Sequence, residues 1–378
     1  MEKLLLCFES YFSKRQFSSL LFVLHLLLAS EKKVLSRAEG KSESAFSRFF
    51  GVYKWDSKEV EEARREAHWT QVAQYVKQQH IHRLTLRLII DDTVVPKSGK
   101  AFDRLGIHYS STLNKEVTGH CFVVLYAVIG PFRFPLDYRW YLNEKRCPQA
   151  GMVFKTKLQL AIEMLKEVVI PASLPIHTIE VLLDGGYAEK DVLDYIEAQG
   201  WHFYARLAYN RTLEEIQFVG VAGKSYPKTL AQVKSGEVVT PAYLGLKVKV
   251  VRQRGEKHPR YLMTNCLKAS NSKVRKRAKL RWEVEVFFRR IKQHLGFAQY
   301  RVRSWKAIDK YILTVWIAYR IALSEAPPSV DGVLLTLEQQ QQLLAWNLLK
   351  AKMKPYLLAK LILMKTRLNL LLGAIILA

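Results

Sequence analysis

Apolar positions along this chain change their period near residue 80. Before that point they recur at helical spacing. Phe17–Ala29 predicts one apolar helix and Ser42–Phe50 a short second one. Asp56, followed three residues later by Glu59, has the form of a capping box opening a third helix that runs to about Gln79. From residue 84 the pattern becomes that of strands with intervening helices. Leu84–Asp91 is a strand ending in an acid, and Gly119–Gly130 is a buried strand whose antiparallel neighbour, Phe132–Tyr141, lies across a Gly-Pro turn. Lys155–Val169 is an amphipathic helix stopped by Pro171. Ile179–Asp184 is a second short strand ending in Asp, Glu189–Gln199 is a helix closed by Gly200, and Trp201–Leu207 is a further strand.

Residues 208–270 are richer in Gly, Val and Tyr, with strand-like runs at Leu244–Val251 and Tyr261–Cys266. A long helix is predicted from about Ser272 to Leu295, stopped by Gly296, and more helices fill 304–378. The pattern predicts an α/β protein: a helical region over 1–80, a sheet-and-helix core over 81–207 and 271–325, a β-rich insertion over 208–270 and a helical C-terminal region over 326–378.

Charge narrows the partners. Among 378 residues, 59 Lys and Arg face 34 Asp and Glu, a formal net charge of +25. A surplus of this size repels itself unless it meets a polyanion such as nucleic acid or an anionic surface. Lys273, Arg275, Lys276 and Arg277, with Lys279, crowd the start of the long helix, where cations oppose the helix dipole, so phosphate is the expected partner. Near the N-terminus, the short middle helix resembles part of a helix-turn-helix, with Lys41, Ser42, Ser44, Ser47 and Arg48 toward phosphate or base edges. A helical bundle with a solvated polar face accounts for the same pattern.

Four scattered cysteines, without a C-x-x-C pair, speak against a zinc site or a disulfide framework and fit a reducing cytoplasm. The apolar N-terminal run contains His25 and is short for a membrane span, and the apolar C-terminus is broken by Lys360, Lys365 and Arg367. A soluble protein with no membrane partner is expected. Gly223-Lys224-Ser225 lacks the earlier Gly of a phosphate-binding loop because residue 218 is Phe, so no nucleotide cofactor is expected. His120 reads as a core histidine, and the insertion tyrosines Tyr209, Tyr226, Tyr243 and Tyr261, which suit stacking on unpaired bases or plain packing, stay unassigned.

Three acids stand out. Asp91 and Asp184 end apolar strands, where a carboxylate is costly unless paired or bound to a cation. In the long helix, Arg281, Arg289 and Lys292 fall within roughly 40° of Glu285 at about 100° per residue, beside an apolar stripe of Val284, Phe288, Ile291 and Leu295. Glu283 lands on another face. One acid among several cations, next to a docking stripe, suits metal-dependent phosphate chemistry better than a surface ion-pair ladder.

In this order, strand Asp91, strand Asp184, β-rich insertion and helix Glu285 resemble the RNase H-like core of DDE transposases from bacterial insertion sequences. Arg281, Glu285 and Lys292 match the signature Tyr-x2-Arg-x3-Glu-x6-Lys of one large subgroup, with Arg289 at a basic position between them, while Ala278 stands at the Tyr position. Asp91-Asp92-Thr93 and Asp184-Gly-Gly-Tyr187 resemble that family's first and second motifs. Asp92 is an alternate first acid, but neighbours on a strand face opposite ways and the Asp-x-Thr spacing favours Asp91.

The resemblance implies an RNase H-like mixed sheet flanked by helices, and two Mg2+ ions, with Mn2+ as a substitute, held by Asp91, Asp184 and Glu285. One ion would serve the attacking oxygen and one the leaving oxygen. It also implies Arg281, Arg289 and Lys292 on phosphate, double-stranded DNA as transposon end and target, a homodimer on DNA, and a bacterial, nucleoid-associated setting. A binding-only relic or regulator, or another RNase H-like nuclease, is the alternative.

Overall fold

The structure is a computed structural model. It describes residues 2–29, 43–99, 101–110, 113–207, 212–213, 228–230, 238–253, 259–325, 329–330 and 333–334. Lys41, the Gly223–Ser225 segment and most of the C-terminal region lie outside these residues. The chain divides into two compact units: Met1–Ser57 with Arg290–Arg301 and Ile308–Ala378, and Lys58–Arg289 with Val302–Ala307.

In the first unit, helices α1 (Glu2–Glu9), α2 (Lys14–Ala29) and α3 (Glu43–Gly51) carry an aromatic core. Ser13 and Gln16 cap α2 reciprocally, the Ser13 N–H donating to Gln16 Oε1 at 2.8 Å and the Gln16 N–H to Ser13 Oγ at 3.3 Å. Trp55 stacks on Phe49 at 5.4 Å and donates its indole N–H to the Phe49 carbonyl at 2.9 Å, so its polar edge is satisfied inside the apolar cluster. Phe50 meets Tyr311 edge-on at 5.5 Å. Arg48 is exposed on α3.

The second unit is built on a nine-stranded mixed sheet, and α4 (Ser57–Gln78) belongs almost wholly to it. Its strands are β1 (Leu84–Pro96), β2 (Gly106–Ser110), β3 (Lys115–Ile129), β4 (Phe132–Tyr141), β5 (Ile176–Leu183) and β6 (His202–Leu207), followed by β9 (Val238–Tyr243), β10 (Leu246–Gln253) and β11 (Arg260–Thr264). The short pair β7 (Thr212–Leu213) and β8 (Lys228–Thr229) forms a separate ribbon. The order in the main sheet is β2-β3-β1-β5-β6-β11-β10-β9, with β4 on β3. Strands β9, β10 and β11 of the 208–270 region therefore extend the main sheet through β6.

β1 pairs antiparallel with β3 and parallel with β5. Where these strands meet, β3 comes so close to β1 that a Cβ on Gly119 would lie 2.3 Å from the Val95 carbonyl oxygen, which only glycine allows.

Strand alternation sorts the two faces of the sheet. Leu86, Leu88 and Ile90 of β1, with Val123, Leu125 and Ala127 of β3 and Val181 and Leu183 of β5, lie in one hydrophobic cluster. Helices α5 (Lys157–Lys166) and α6 (Lys190–Ala198) cover that face with Leu160, Ala161 and Met164 and with Val192, Leu193 and Ile196. α5 begins in a full capping box between Thr156 and Gln159.

The opposite face carries Arg87, Ile89 and Asp91 on β1 and Glu180 and Leu182 on β5, and α7 (Asn271–Leu280) packs across β5, β6, β10 and β11. The helix predicted as continuous from Ser272 to Leu295 is two helices, α7 and α8 (Trp282–His294), broken at Arg281. Gly296 follows α8 with φ 66°, the left-handed conformation that stops a helix. α9 (Trp305–Glu325) is the last described helix. No described helix is long and apolar enough to cross a membrane.

Candidate active site

Asp91 does not end its strand as its sequence neighbourhood suggests. It sits inside the thirteen-residue β1, because Thr93-Val94-Val95 continue the pairing with β3. β5 does end near its acid: Ile90 pairs with Leu183, and the next residues along the two parallel strands are Asp91 and Asp184. Register alone therefore sets the two aspartates side by side.

Arg281 stands at the break between α7 and α8 and faces both. Its Nη1 lies 3.0 Å from Asp91 Oδ2 and its Nη2 4.0 Å from Asp184 Oδ1. The same Nη2 lies 2.5 Å from Glu285 Oε1, one helical turn on. Three acids remote in sequence thus meet at one guanidinium. Val284, Phe287 and Phe288 are buried, and the Phe287 ring packs tilted against Tyr126 of β3 at 5.0 Å, which fixes the face of α8 that carries Glu285. Glu283, on another face, pairs with Arg133 at 3.3 Å.

Electrostatics follow from this packing. Burial pushes the Asp91 carboxyl up to about 7; Arg281 pulls it down, while Asp92 and Asp184 push it further up. For Arg281, burial works against the charge, but Asp91, Asp184 and Glu285 together outweigh it and raise its pKa above the ordinary arginine value.

Asp92 points the other way. Its carboxylate takes Lys157 Nζ at 2.7 Å and the Tyr187 hydroxyl at 3.0 Å, with the Cys121 sulfur at 3.7 Å. Burial, with Asp92 beside it, raises the Tyr187 pKa well above the usual value and keeps the phenol a donor. This polar cluster behind the sheet was not legible in the sequence, since Lys157 and Tyr187 lie 65 and 95 residues from Asp92. It ties β1 to the turn after Asp184, where the Tyr187 N–H donates to the Asp184 carbonyl at 3.0 Å.

The basic cluster at the start of α7 separates into two roles. Arg277 and Lys273 approach the buried Glu180 carboxylate at 2.5 and 3.4 Å, where Arg87 also binds it at 3.0 Å. Arg275 donates to the Arg252 carbonyl at 3.3 Å. Arg275, Lys276, Lys279 and Arg281 also line a groove of about 880 Å³ together with Arg206 and Arg260, which sequence reading did not single out. Both project from strands, where alternation sends charged side chains outward, and only the pairing of β6 with β11 brings them together. Trp282, at 52% relative exposure, lies on the same groove. On α8, Arg289 is exposed and Lys292, two turns past Glu285, is half-buried.

The donor set is three carboxylates, the hard oxygen ligands that Mg2+ prefers. As they stand the acids are spaced by the guanidinium between them, and among the described residues no group of three His, Cys, Asp or Glu side chains is arranged to hold an ion. The chemistry of the donors and their convergence on one cation, Arg281, are compatible with a divalent ion.

His120 lies on the β1–β3 ladder, in an aromatic cluster with Phe102, Phe122 and Trp140, and its Nε2 is 2.9 Å from the Asp103 carbonyl oxygen. It is a buried packing histidine.

No curated protein matches the sequence. A family model described as DDE superfamily endonuclease matches residues 7–279, which include Asp91 and Asp184 and stop short of Arg281 and Glu285. With its mixed sheet flanked by helices and well over half of its length matched, the chain belongs to the DDE superfamily endonuclease family.

Proposed function

We propose that this endonuclease-family chain is the transposase of a bacterial insertion sequence, cutting transposon ends and joining them to target DNA. The observation that carries the reading is the meeting of Asp91, Asp184 and Glu285 at one cation. Asp91, Asp184 and Glu285 are the residues that would hold Mg2+, or Mn2+ in its place. Bound there, the metal supplies positive charge to the attacking and leaving oxygens of a phosphodiester.

The protein's own groups do the rest. Arg206, Arg260, Lys276 and Lys279 hold the DNA backbone along the groove, which ends at Arg281 beside the acids. Arg281 neutralises charge that develops on the phosphate, as a planar fork of donors suits. Arg289 and Lys292 continue the basic face of α8, and Lys41 and Arg48 of the N-terminal region add further DNA contacts. Two DNA ends are joined in one event, so a homodimer on DNA is the expected assembly, working in the bacterial cytoplasm at the nucleoid.

Incubation of the purified protein and Mg2+ with the DNA flanking its own gene tests the reading. Nicking at defined ends followed by strand joining is expected. Asp91→Ala, Asp184→Ala and Glu285→Ala should each abolish nicking while the ends stay bound. Normal nicking by these variants refutes the assignment, and binding without nicking by the wild type indicates a regulator.

A further inference from the structure

The Arg281 guanidinium occupies the point on which Asp91, Asp184 and Glu285 converge. A guanidinium offers five donors in a fixed fork, so one side chain spans several carboxylates at once. Here both terminal nitrogens are engaged, and the side chain is only 17% exposed. Without it, three carboxylates would face one another at short range, and like charges held a few ångströms apart in a partly buried site repel strongly.

Arg281 therefore assembles the acids, but it also obstructs them. The oxygens that receive its nitrogens are those a divalent ion needs, and a divalent ion beside a bound guanidinium meets repulsion of the same order. The neighbouring groove offers the alternative place. Arg281 lines it together with Arg206, Arg260, Lys276 and Lys279, an array with no anion of its own apart from Glu283 among its lining residues. A DNA phosphate in the groove supplies that anion. The backbone allows the exchange to be local, because Arg281 sits in the break between α7 and α8.

We infer that Arg281 is a positioning residue that serves as a resident counter-ion, holding the three acids together until a DNA phosphate draws its guanidinium into the groove and a divalent metal takes its place. Metal and DNA then bind cooperatively, and by linkage each tightens the other by the same factor. The consequence is protective: the acids load metal when DNA is present to be cut, and carry their own cation otherwise. The inference rests on the reading of these acids as metal ligands.

Mn2+ binding, followed by electron paramagnetic resonance on the full-length metal-free protein, tests it without any activity assay. In the absence of DNA, Arg281→Gln is expected to bind Mn2+ about tenfold more tightly than the wild type, a typical size for coupling between sites. Equal affinities overturn the proposal. A short blunt DNA duplex is expected to tighten Mn2+ binding by the wild type about tenfold and to leave Arg281→Gln nearly unchanged. A wild-type affinity indifferent to the duplex overturns the proposal as well, and that arm needs no variant to fold. The triple variant Asp91→Asn, Asp184→Asn, Glu285→Asn separates the two levels of argument. If, with the duplex present, it binds Mn2+ as the wild type does, the acids are not the ligands and both readings fail. If it loses Mn2+ while Arg281→Gln matches the wild type, the role of Arg281 alone is refuted.

Discussion

Adjacent aspartates on β1 have opposite fates because successive strand residues face opposite sides of a sheet. Asp91 meets Arg281, while Asp92 meets Lys157 and Tyr187 on the face that carries the main hydrophobic cluster. Asp91→Asn is therefore expected to abolish DNA cleavage while keeping, or raising, stability above pH 7, because burial disfavours the charged acid. Asp92→Asn is expected to retain measurable cleavage and to lose about 1–3 kcal/mol of stability through its weakened bonds to Lys157 and Tyr187. Parallel cleavage assays and urea melts decide this; the reverse pattern would exchange the two roles. The Asp-x-Thr spacing pointed to Asp91, and parity in the strand made the two positions exclusive. What holds Asp92 was not legible, because its partners come from distant segments and only the fold brings them near.

At the scale of elements, the helix that presents Glu285 was readable from its apolar stripe, and Val284, Phe288, Ile291 and Leu295 are all buried. Its interruption at Arg281 was not readable. Arg281 keeps right-handed helical angles (φ −51°, ψ −32°), and no Gly or Pro marks the break. The strand run after Asp91 and the attachment of β10 and β11 to the main sheet were missed for a related reason, since pairing partners are not a local property of the sequence.

α7 is anchored by an ion cluster rather than by an apolar stripe alone. Glu180 is 1% exposed and accepts Arg87, Arg277 and Lys273, and only Val274 of α7 is buried. Removing one side of a buried charge cluster leaves the others unpaired, so Glu180→Ala should cost about 3–5 kcal/mol in chemical denaturation. A loss below about 1 kcal/mol would show that α7 is held by other means. Gly119→Ala should also destabilise, by several kcal/mol, because its Cβ would lie 2.3 Å from a backbone oxygen that cannot swing aside.

For the whole molecule, two buried histidines are groups that acid works against. Burial lowers the pKa of both His108 and His120 from 6.5 to about 4. The unfolded chain binds these protons first, so the histidines' contribution is full above pH 6.5 and falls as pH drops toward 4, while the raised pKa of Asp91 works the other way, its penalty easing as pH falls below 7. At about pH 5 each histidine should account for about 2 kcal/mol of that loss. Thermal melts from neutral to acid pH check it, and His120→Asn should flatten the slope; a slope unchanged by the substitution would remove His120 from the account.

The net charge of +25 and the basic groove predict DNA affinity that falls steeply with salt. Lys276→Ala and Lys279→Ala should each reduce the slope of log affinity against log salt by about one. Wild-type slopes in both variants would move the DNA path away from the groove.

The central claim is that residues 91, 184 and 285 share a metal site. Fe2+ bound in place of Mg2+ reacts with added hydrogen peroxide, ascorbate returning the Fe3+ to Fe2+, to give hydroxyl radicals that cut the polypeptide close to where the ion sits, so mapping those cuts on the DNA-bound protein tests the claim most directly. The account predicts three clusters of cuts together, around Asp91, Asp184 and Glu285, all suppressed by excess Mg2+. Cuts near only one of them, or cuts elsewhere that Mg2+ suppresses, would contradict it.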